Sequence, residues 1–172
     1  VCNLKDAHTT EINPKTKNPV IDVQPAQREI LEKHMYGGTM RLGAYAAILK
    51  DKSQILKLYQ ETGRLNEDEK RIQELMKDKS QAFRLGILEK GKKTVLERHR
   101  HRYEVNPRFV DLIEKNGMVF SGYYERFDKT RLMEYIELPN LNFWGTQSHP
   151  EFKSRLGNPS PLFYGFVKAC GK

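Results

Sequence analysis

The stretch NPRFVDLIEKNG, which begins at Asn106, is punctuated as a helix at both of its ends. Asn106 is a good N-cap, Pro107 suits the first helical position, and Gly117 follows the apolar stripe. Two strands with alternating side chains are predicted directly after it, over 118–125 and 132–138. Helices and strands are therefore mixed along a chain without internal repeats, which indicates an α/β or α+β domain.

Apolar spacing and turn residues predict further elements on both sides of this stretch. An amphipathic helix is expected over 66–78 with Asn66 as its N-cap, because Ile72, Leu75 and Met76 then share one face. The other predicted elements are strands over 20–23, 40–49 and 143–148, a hairpin of strands 82–88 and 93–97 that turns at Lys90-Gly91, and a last helix from Ser160.

Composition bounds the class of protein and its compartment. A chain of 172 residues with 38% hydrophobic and 30% charged residues is typical of one globular domain. No apolar run approaches the roughly 20 residues that span a bilayer, and Cys2 and Cys170 suit neither a disulfide framework nor a metal spacing. The net charge is +8, but the basic residues are interleaved with acidic ones along most of the chain. We expect a cytoplasmic protein without a membrane partner, a nucleic-acid partner or a metal site.

The run WGTQSHPEF carries a histidine and a glutamate two positions apart, with Pro150 between them. On an extended strand the side chains at i and i+2 share a face, so His149 and Glu151 are predicted to lie side by side. A carboxylate in that place can hold an imidazole in one tautomer, as the third member of a nucleophilic triad does. The alternative is that His149 packs at a strand end and that Glu151 is solvated.

The run ERHRHRYEVN holds three arginines and two histidines in five consecutive positions. As a strand it is predicted to present Arg98, Arg100 and Arg102 on one face, with His99 and His101 on the other. Guanidinium groups offer paired donors that match two oxygens of a carboxylate or a phosphate. The run therefore predicts either an anion clamp or a charged edge strand that discourages aggregation.

A single acid, Glu11, stands in the proline-punctuated stretch TTEINP, where no apolar periodicity explains it. A carboxylate in such a loop can bind an ammonium group, or it is simply exposed to solvent. Physical reasoning on this stretch alone favours simple exposure, so the residue is only a candidate at this point.

The chain resembles the glutamine amidotransferase domain of the CTP synthase family in four stretches, namely DAHTTEINP, GGTMRLG, ERHRHRYEVNP and QSHPEFKSRLGNPSPLFYGFV. The resemblance runs from the first residues to the last helix with one interruption, and the arginine-histidine run combined with HPEFKSR is highly specific. It implies an α/β fold of the class I amidotransferase type, a three-layer sandwich with a mostly parallel central sheet and helices on both faces. This chain would supply the later strands and the antiparallel edge, so the sandwich would be incomplete.

The resemblance also implies a function, cofactors and partners. Members of the family hydrolyse glutamine and pass the ammonia to an N-terminal synthase domain, which aminates UTP to CTP with ATP and magnesium. GTP is the allosteric activator, and the enzyme is a homotetramer. The expected function is thus the glutaminase portion of this ligase of pyrimidine biosynthesis. Its expected partners are glutamine and the synthase domain, and no cofactor is expected to bind to this portion.

Four site residues are carried over by the resemblance. The HPE motif places His149 and Glu151 beside the catalytic cysteine, where His149 takes the thiol proton and Glu151 orients the imidazole. Glu11 corresponds to the acid that accepts the α-ammonium group of glutamine, and Arg102 of the HRY triplet lies near the α-carboxylate. Opposite charges that face the two ends of a zwitterion are physically consistent with these roles.

The chain departs from the family pattern in two places. The nucleophilic cysteine of a GxCxG turn, expected upstream of Glu11, has no counterpart, and neither Cys2 nor Cys170 stands where it could replace it. Residues 1–172 are therefore expected to be the C-terminal portion of the domain, and inactive alone. The second departure is an insertion at about 61–92, which is either a surface excursion or a contact with the glutamine entrance or another subunit.

Two other functions stay open at this point. Another nucleotide-biosynthetic amidotransferase, such as the one of GMP synthesis, shares little beyond the HPE motif, and the ERHRHRYEVN run argues against it. A relative that has lost the cysteine could instead be a non-catalytic binding or structural module. A GxCxG turn encoded upstream in the natural gene would argue against this second alternative.

Overall fold

The computed structural model describes residues 2–23 and 40–171, so the first part of GGTMRLG, residues 37–39, lies outside the described residues. The strands form a five-stranded and a three-stranded sheet. In chain order the elements are β1 (Ala7–Thr9), β2 (Asn18–Val23), β3 (Arg41–Leu49), α1 (Gln54–Glu61), α2 (Arg64–Leu75), α3 (Ala82–Leu85), β4 (Lys93–His101), β5 (Tyr103–Val105), α4 (Val110–Lys115), β6 (Val119–Glu125), β7 (Arg131–Leu138), β8 (Phe143–Thr146) and α5 (Pro161–Cys170).

The larger sheet is antiparallel throughout, in the order β4-β3-β6-β7-β8. Strands β3 and β4 pair along their whole length, from Arg41 opposite His101 to Leu49 opposite Lys93. Among the described strands β4 has no second neighbour. It is therefore an edge strand of this sheet, as one interpretation of its charges predicted.

The smaller sheet joins β1 to β2 in parallel and β2 to β5 antiparallel. The α/β class is confirmed, and the described strands build the antiparallel part of the predicted architecture. The mostly parallel sheet is not found among them, since β1 with β2 is the one parallel pair in residues 2–23 and 40–171. The physical reason is that β6, β7 and β8 follow one another across short turns, which reverse the direction of the chain.

The hydrophobic core is divided between the two faces of the larger sheet, because successive strand residues point to opposite sides. The first cluster consists of Ala47, Leu49, Ile55, Leu56, Tyr59, Leu65, Val95, Tyr135 and Leu162, with Trp144 packed against it. The second cluster consists of Ala46, Ile72, Leu85 and Leu96. Helices α1 and α5 contribute to the first cluster and α3 to the second, so helices cover both faces, as the three-layer prediction required.

Helix α2 passes around the outer edge of β4 and does not lie on one face. Its Leu65 packs in the first cluster, and its Ile72 packs in the second. Between them Asp68 is turned toward the strand, where its Oδ2 accepts a hydrogen bond from the Leu96 backbone N–H at 3.0 Å. The helix therefore covers part of the edge that β4 presents outward.

Helix α2 begins two residues earlier than predicted. Gly63, at φ 72°, stands at its N-cap, and Asn66 lies in the first turn. The preceding helix α1 was not predicted from apolar spacing. It depends on a distant strand at its start, where the Glu137 carboxylate accepts the N–H groups of Gln54 and Ile55 at 3.0 and 3.2 Å. The helix also has a local N-cap that the sequence analysis missed, since the Ser53 side chain accepts the Leu56 N–H at 3.1 Å.

The predicted strand over 82–88 is wrong. Its first half is the short helix α3, which follows a 3-10 turn with Asp78 as its side-chain cap. Ile87 still extends the sheet, since its N–H donates to the Glu125 carbonyl at 2.8 Å. The run AFRLGIL fits helical spacing as well as alternation, and short apolar runs cannot separate the two. The turn at Gly91 is confirmed, with a positive φ of 80°.

The helix that begins at Asn106 is confirmed, with a 3-10 first turn. The Asn106 side chain accepts a backbone N–H at 3.1 Å, the turn Pro107–Phe109 follows, and α4 continues it. Gly117, at φ 93°, comes after the helix end, where only glycine adopts that conformation easily. The strands predicted over 118–125 and 132–138 are confirmed to within a residue as β6 and β7.

Replacing Gly86 by alanine is expected to destabilise the fold by roughly 3 kcal/mol or more. Gly86 has φ 61° and ψ −146°, and an added Cβ would collide with the Glu125 carbonyl oxygen and lie 2.7 Å from the Tyr124 ring. The matched control is Gly91→Ala, because at φ 80° this residue has open space around it and carries the backbone cost alone. Urea unfolding measures both variants, and equal losses of stability would contradict the packing argument.

Candidate active site

The side chains of His149 and Glu151 meet at the surface. His149 Nδ1 lies 2.7 Å from Glu151 Oε1, within hydrogen-bonding distance. The His149 side chain is 38% exposed and that of Glu151 is 53% exposed, so a substrate can reach both. The hydrogen bond from His149 lowers the pKa of Glu151, which keeps this carboxylate an acceptor. With Nδ1–H donating to Glu151, Nε2 carries the lone pair that can take up a proton.

A 3-10 turn, and not an extended strand, brings these two side chains together. Strand β8 ends at Thr146, and Pro150–Phe152 form a single 3-10 turn directly after His149. The predicted contact is present, but the strand geometry from which it was argued is wrong. Proline at the first position of a helical turn is already in the required φ range, which favours the turn over an extended chain.

One hydrogen bond joins His149 directly to strand β4, and two ring contacts join it through Phe152. Its backbone N–H donates to the Arg98 carbonyl at 2.8 Å. Its ring stacks on the Phe152 ring, with centroids 5.0 Å apart and planes at 17°. The Arg98 guanidinium lies in turn 5.3 Å from the centroid of the Phe152 ring. The orientation of the imidazole therefore depends on the sheet edge as well as on Glu151.

Glu11 and Arg102 both act on one side chain, Tyr103. Glu11 is exposed in the turn after β1, and Arg102 lies between β4 and β5. Burial raises the pKa of Tyr103, the negative charge of Glu11 raises it further, and the positive charge of Arg102 lowers it. The roles of Glu11 and Arg102 toward glutamine stay predictions.

The alternation predicted for ERHRHRYEVN is confirmed as far as His101. Arg98 and Arg100 are exposed, whereas His99 is only 2% exposed and stands on the opposite face. Arg102 comes after the end of β4, at the bend that leads into β5. The predicted row of three arginines on one strand is therefore shortened to two, because the strand ends before the third.

A buried ion cluster around Arg41 lies next to the histidines of β4. Arg41 Nη1 is 2.6 Å from Glu134 Oε1 and 3.4 Å from Glu104 Oε1, and all three side chains are less than a tenth exposed. Burial raises the pKa of Glu104 to about 8 against the opposing charge of Arg41, and burial also raises the pKa of Glu134. The two carboxylates therefore share the single positive charge of Arg41 in a buried site.

The two histidines of β4 extend this cluster, since His99 Nε2 lies 3.6 Å from Glu134 Oε2 and His101 Nδ1 lies 3.6 Å from Glu104 Oε1. His99 Nδ1 lies 3.0 Å from His101 Nε2. Burial lowers the pKa of both histidines, and the positive charge of Arg41 is the next cause. The pKa of His101 falls to about 4 and that of His99 falls far below its usual value. The charge of His149 acts in the same direction. Both rings are therefore neutral at physiological pH, and they act as hydrogen-bonding groups within the cluster.

A second buried network joins Lys153, two residues after Glu151, to β4. Lys153 Nζ lies 2.6 Å from Asp68 Oδ1 and 3.3 Å from Glu97 Oε1. Sequence reasoning missed these residues. The signal for Asp68 was present, because an acid four positions before Ile72 stands on the apolar face of the predicted helix. No comparable local signal existed for Lys153, whose partners all lie far from it in the sequence.

The two cysteines lie on other elements. Cys2 Sγ is 3.8 Å from the Leu112 carbonyl of α4, and Cys170 is exposed at the C-terminal end of α5. Within residues 2–23 and 40–171 no group of three or more His, Cys, Asp or Glu side chains is arranged to hold a metal ion. In the same part of the chain no helix has the length and apolar character needed to cross a bilayer.

Comparison with known proteins identifies the family of this chain. The family model described as glutamine amidotransferase class-I matches residues 31–169. The chain belongs to the class-I glutamine amidotransferase family. Within this amidotransferase segment lie β3 to β8, the HPE motif and most of α5, so the match includes the described edge of β4.

The similar proteins of this amidotransferase chain are CTP synthases. It is 43% identical to the CTP synthase of Saccharolobus solfataricus. The match extends over 170 residues, which are 98% of this chain and 25% of that protein. The CTP synthase of Methanopyrus kandleri is 43% identical over 171 residues, or 99% of this chain and 25% of that protein. A solved structure, the glutaminase domain of Trypanosoma brucei CTPS with bound acivicin, is 28% identical with a TM-score of 0.71, over 99% of this chain and 53% of that one.

The amidotransferase chain thus spans about a quarter of the length of these curated relatives and about half of the trypanosomal chain. The fold prediction is confirmed by the match to a glutaminase domain. The alternatives of a GMP-synthesis amidotransferase or a non-catalytic module are not favoured, because the relatives that cover nearly the whole chain are CTP synthases.

Between about pH 6.5 and pH 4 the free energy of unfolding decreases as acid is added. Replacing His101 by glutamine is expected to make this decrease smaller by roughly 3 kcal/mol. The pKa of His101 falls from 6.5 to about 4 on folding, so between these pH values the unfolded chain binds the proton first. This contribution to stability is complete above about pH 6.5 and is lost as the pH falls toward 4. Glutamine takes up no proton. Free energies of unfolding in urea at both pH values test this, and equal losses in both proteins would contradict it.

Proposed function

We propose that this chain is the glutaminase portion of a CTP synthase, in which glutamine hydrolysis supplies ammonia for the ATP-dependent amination of UTP to CTP. The observation that carries the proposal is the 2.7 Å contact between His149 Nδ1 and Glu151 Oε1. It lies in the HPE motif of a class-I amidotransferase chain that is 43% identical to a CTP synthase over 98% of its length. A base held in one tautomer beside an accessible surface is what amide hydrolysis by a thiol requires.

The pair supports proton transfer in both halves of the reaction. Glu151 accepts the Nδ1–H, so His149 Nε2 takes the thiol proton and later gives it to the departing amide nitrogen. The sulfur bonds to the amide carbon, the C–N bond breaks and ammonia leaves, after which water hydrolyses the thioester to glutamate. We propose that the thiol belongs to a cysteine outside these 172 residues, since Cys2 contacts α4 and Cys170 ends α5.

Glutamine binding is assigned to Glu11 and Arg102 in this proposal. Glu11 accepts the α-ammonium group, and the Arg102 guanidinium donates to the α-carboxylate. What supports the assignment is that the chain is 43% identical to a CTP synthase over 98% of its length, and that Glu11 and Arg102 stand in two of the stretches that resemble the family. A charge-assisted hydrogen bond contributes roughly 1.5 to 3 kcal/mol, enough for each residue to affect affinity measurably.

The remaining components are proposed on the same family basis. ATP and magnesium act in the synthase domain and not in this portion, GTP is the allosteric activator, and the enzyme is a cytoplasmic homotetramer. The synthase domain receives the ammonia as partner of this portion. An assay with UTP, compared with XMP, distinguishes this function from that of the GMP-forming amidotransferase, because only the correct acceptor consumes the ammonia.

Replacing His149 by alanine in the natural protein is expected to lower glutamine-dependent CTP formation by a factor of roughly 10² to 10⁴. Ammonia-dependent formation is expected to stay within about twofold, because added ammonia bypasses the glutaminase chemistry. The matched control is His8→Ala, which removes an exposed histidine on β1. Both activities are measured as CTP formed from UTP. An equal fall of both would show that His149 does not act in glutamine hydrolysis.

Replacing Arg102 by alanine, or Glu11 by glutamine, is expected to raise the KM for glutamine by a factor of roughly 10 to 150, because each change removes one charge-assisted hydrogen bond. The rate at saturating glutamine should change much less, and the ammonia-dependent rate should be preserved. Arg100→Ala is the matched control, since this arginine is exposed in the same run. Steady-state kinetics with varied glutamine provide the measurement. An unchanged KM would remove these two residues from the glutamine site.

A further inference from the structure

Helix α2 is bound directly to the HPE turn, defined here as residues 148–153. Asp68 of this helix is 4% exposed. Its Oδ1 lies 2.6 Å from Lys153 Nζ, and its Oδ2 accepts the Leu96 N–H at 3.0 Å. Lys153 Nζ also donates to the Leu96 carbonyl and, at 3.3 Å, to Glu97 Oε1. One carboxylate therefore joins the last residue of the HPE turn to the edge of β4.

Arg64, on the same helix, holds the main chain that follows. It is 6% exposed, and its Nη2 donates to the Lys153 carbonyl at 3.4 Å and to the Asn158 carbonyl at 3.1 Å. The segment between these two carbonyls closes on itself, because the Arg155 N–H donates to the Asn158 carbonyl at 3.1 Å. Two side chains of α2 thus hold both the main chain and the side chain of Lys153.

Two buried tyrosines belong to the same network. Glu97 Oε1 accepts the Tyr59 hydroxyl at 2.7 Å, and the Tyr59 hydroxyl lies 2.8 Å from that of Tyr135. Tyr59 and Tyr135 are 0% and 1% exposed, so solvent does not compete for these bonds. At the other end of the turn the His149 N–H donates to the Arg98 carbonyl of β4 at 2.8 Å, so both ends of the HPE turn are anchored on this strand.

We propose that Asp68 and Lys153 are positioning residues for glutamine hydrolysis, whose ion pair holds the HPE turn on β4 and thereby keeps Glu151 within hydrogen-bonding distance of His149. This inference rests on the glutaminase function proposed above. The turn itself transmits the constraint, since the Lys153 N–H donates to the Pro150 carbonyl at 3.3 Å. Lys153 and Asp68 act through the His149–Glu151 pair and do not touch glutamine.

The ion pair between Asp68 and Lys153 can hold the HPE turn because it is buried. An exposed pair contributes little to holding a loop, because solvent screens it. The Lys153 side chain is 19% exposed and that of Asp68 5%, so removing one partner leaves the other charge poorly solvated. The turn then relaxes toward solvent, and a displacement of about 1 Å at a reacting group lowers a rate by as much as a hundredfold.

The test uses the natural full-length protein with the single change Asp68→Asn. The amide keeps an acceptor for the Leu96 N–H but removes the charge that pairs with Lys153. We expect the kcat of glutamine-dependent CTP formation to fall between about tenfold and a hundredfold. The KM for glutamine should change by less than about twofold, because the residues proposed to bind glutamine, Glu11 and Arg102, lie after β1 and between β4 and β5, outside the HPE turn. The ammonia-dependent rate should stay the same.

A second variant and a control make the result specific. Lys153→Met removes the other partner and should give the same pattern, and the double variant should lose no more than either single one, since both act through one contact. Glu69→Gln is the matched control. Glu69 is the next residue of α2, and its bond of 3.0 Å to Lys93 joins the helix to β4 without touching the HPE turn.

The possible outcomes separate the roles clearly. An unchanged kcat in Asp68→Asn, an equal fall of the ammonia-dependent rate, or failure of both variants to accumulate as folded protein would overturn the positioning role. The same loss in Glu69→Gln would also overturn it, because helix docking in general would then be responsible. If His149→Ala kept its glutamine-dependent activity, the proposed function itself would be wrong, whatever Asp68→Asn showed.

Discussion

Strand β4 has one strand neighbour among the described residues, and on its other side its backbone groups bond to side chains and to a loop. The Leu96 N–H donates to Asp68, the Leu96 carbonyl accepts from Lys153, and the Arg98 carbonyl accepts from the His149 N–H. Unpaired groups at such an edge are costly when buried and attract other chains when exposed. The bonds that close the edge also place His149, so the stability of the sheet and the position of the imidazole depend on each other.

Two buried polar networks lie along the same strand. One is centred on Arg41 and includes the two histidines, and the other is centred on Lys153 and reaches Tyr135. Buried charges cost free energy unless they are paired, and a buried pair contributes less to stability than to the choice of one arrangement. The networks therefore stabilise one geometry around His149. This is the preorganisation that a proton-transfer site needs, because reorganisation during the reaction would raise the barrier.

Sequence reasoning succeeded where the determining residues are neighbours. The cap at Asn106, the alternation of exposed Arg98 with buried His99, and the nearness of His149 to Glu151 all follow from short spacings. It failed where a distant group decides. The first half of the run over 82–88 becomes helical against the sheet, and the HPE residues meet through a 3-10 turn. In these places two local conformations have similar energies, so tertiary contacts select one of them.

The sequence by itself determined the family, the mixture of helices and strands, and the residue types of the candidate site, because each of these is written in fixed short spacings. Only the tertiary structure decided that α2 passes around the edge of β4 and that Asp68 meets Lys153, 85 positions later. It also decided that Asp68 and Lys153 both bond to β4, the strand whose Arg98 carbonyl accepts the His149 N–H. Such contacts depend on the path of the chain through space, and no local pattern encodes that path.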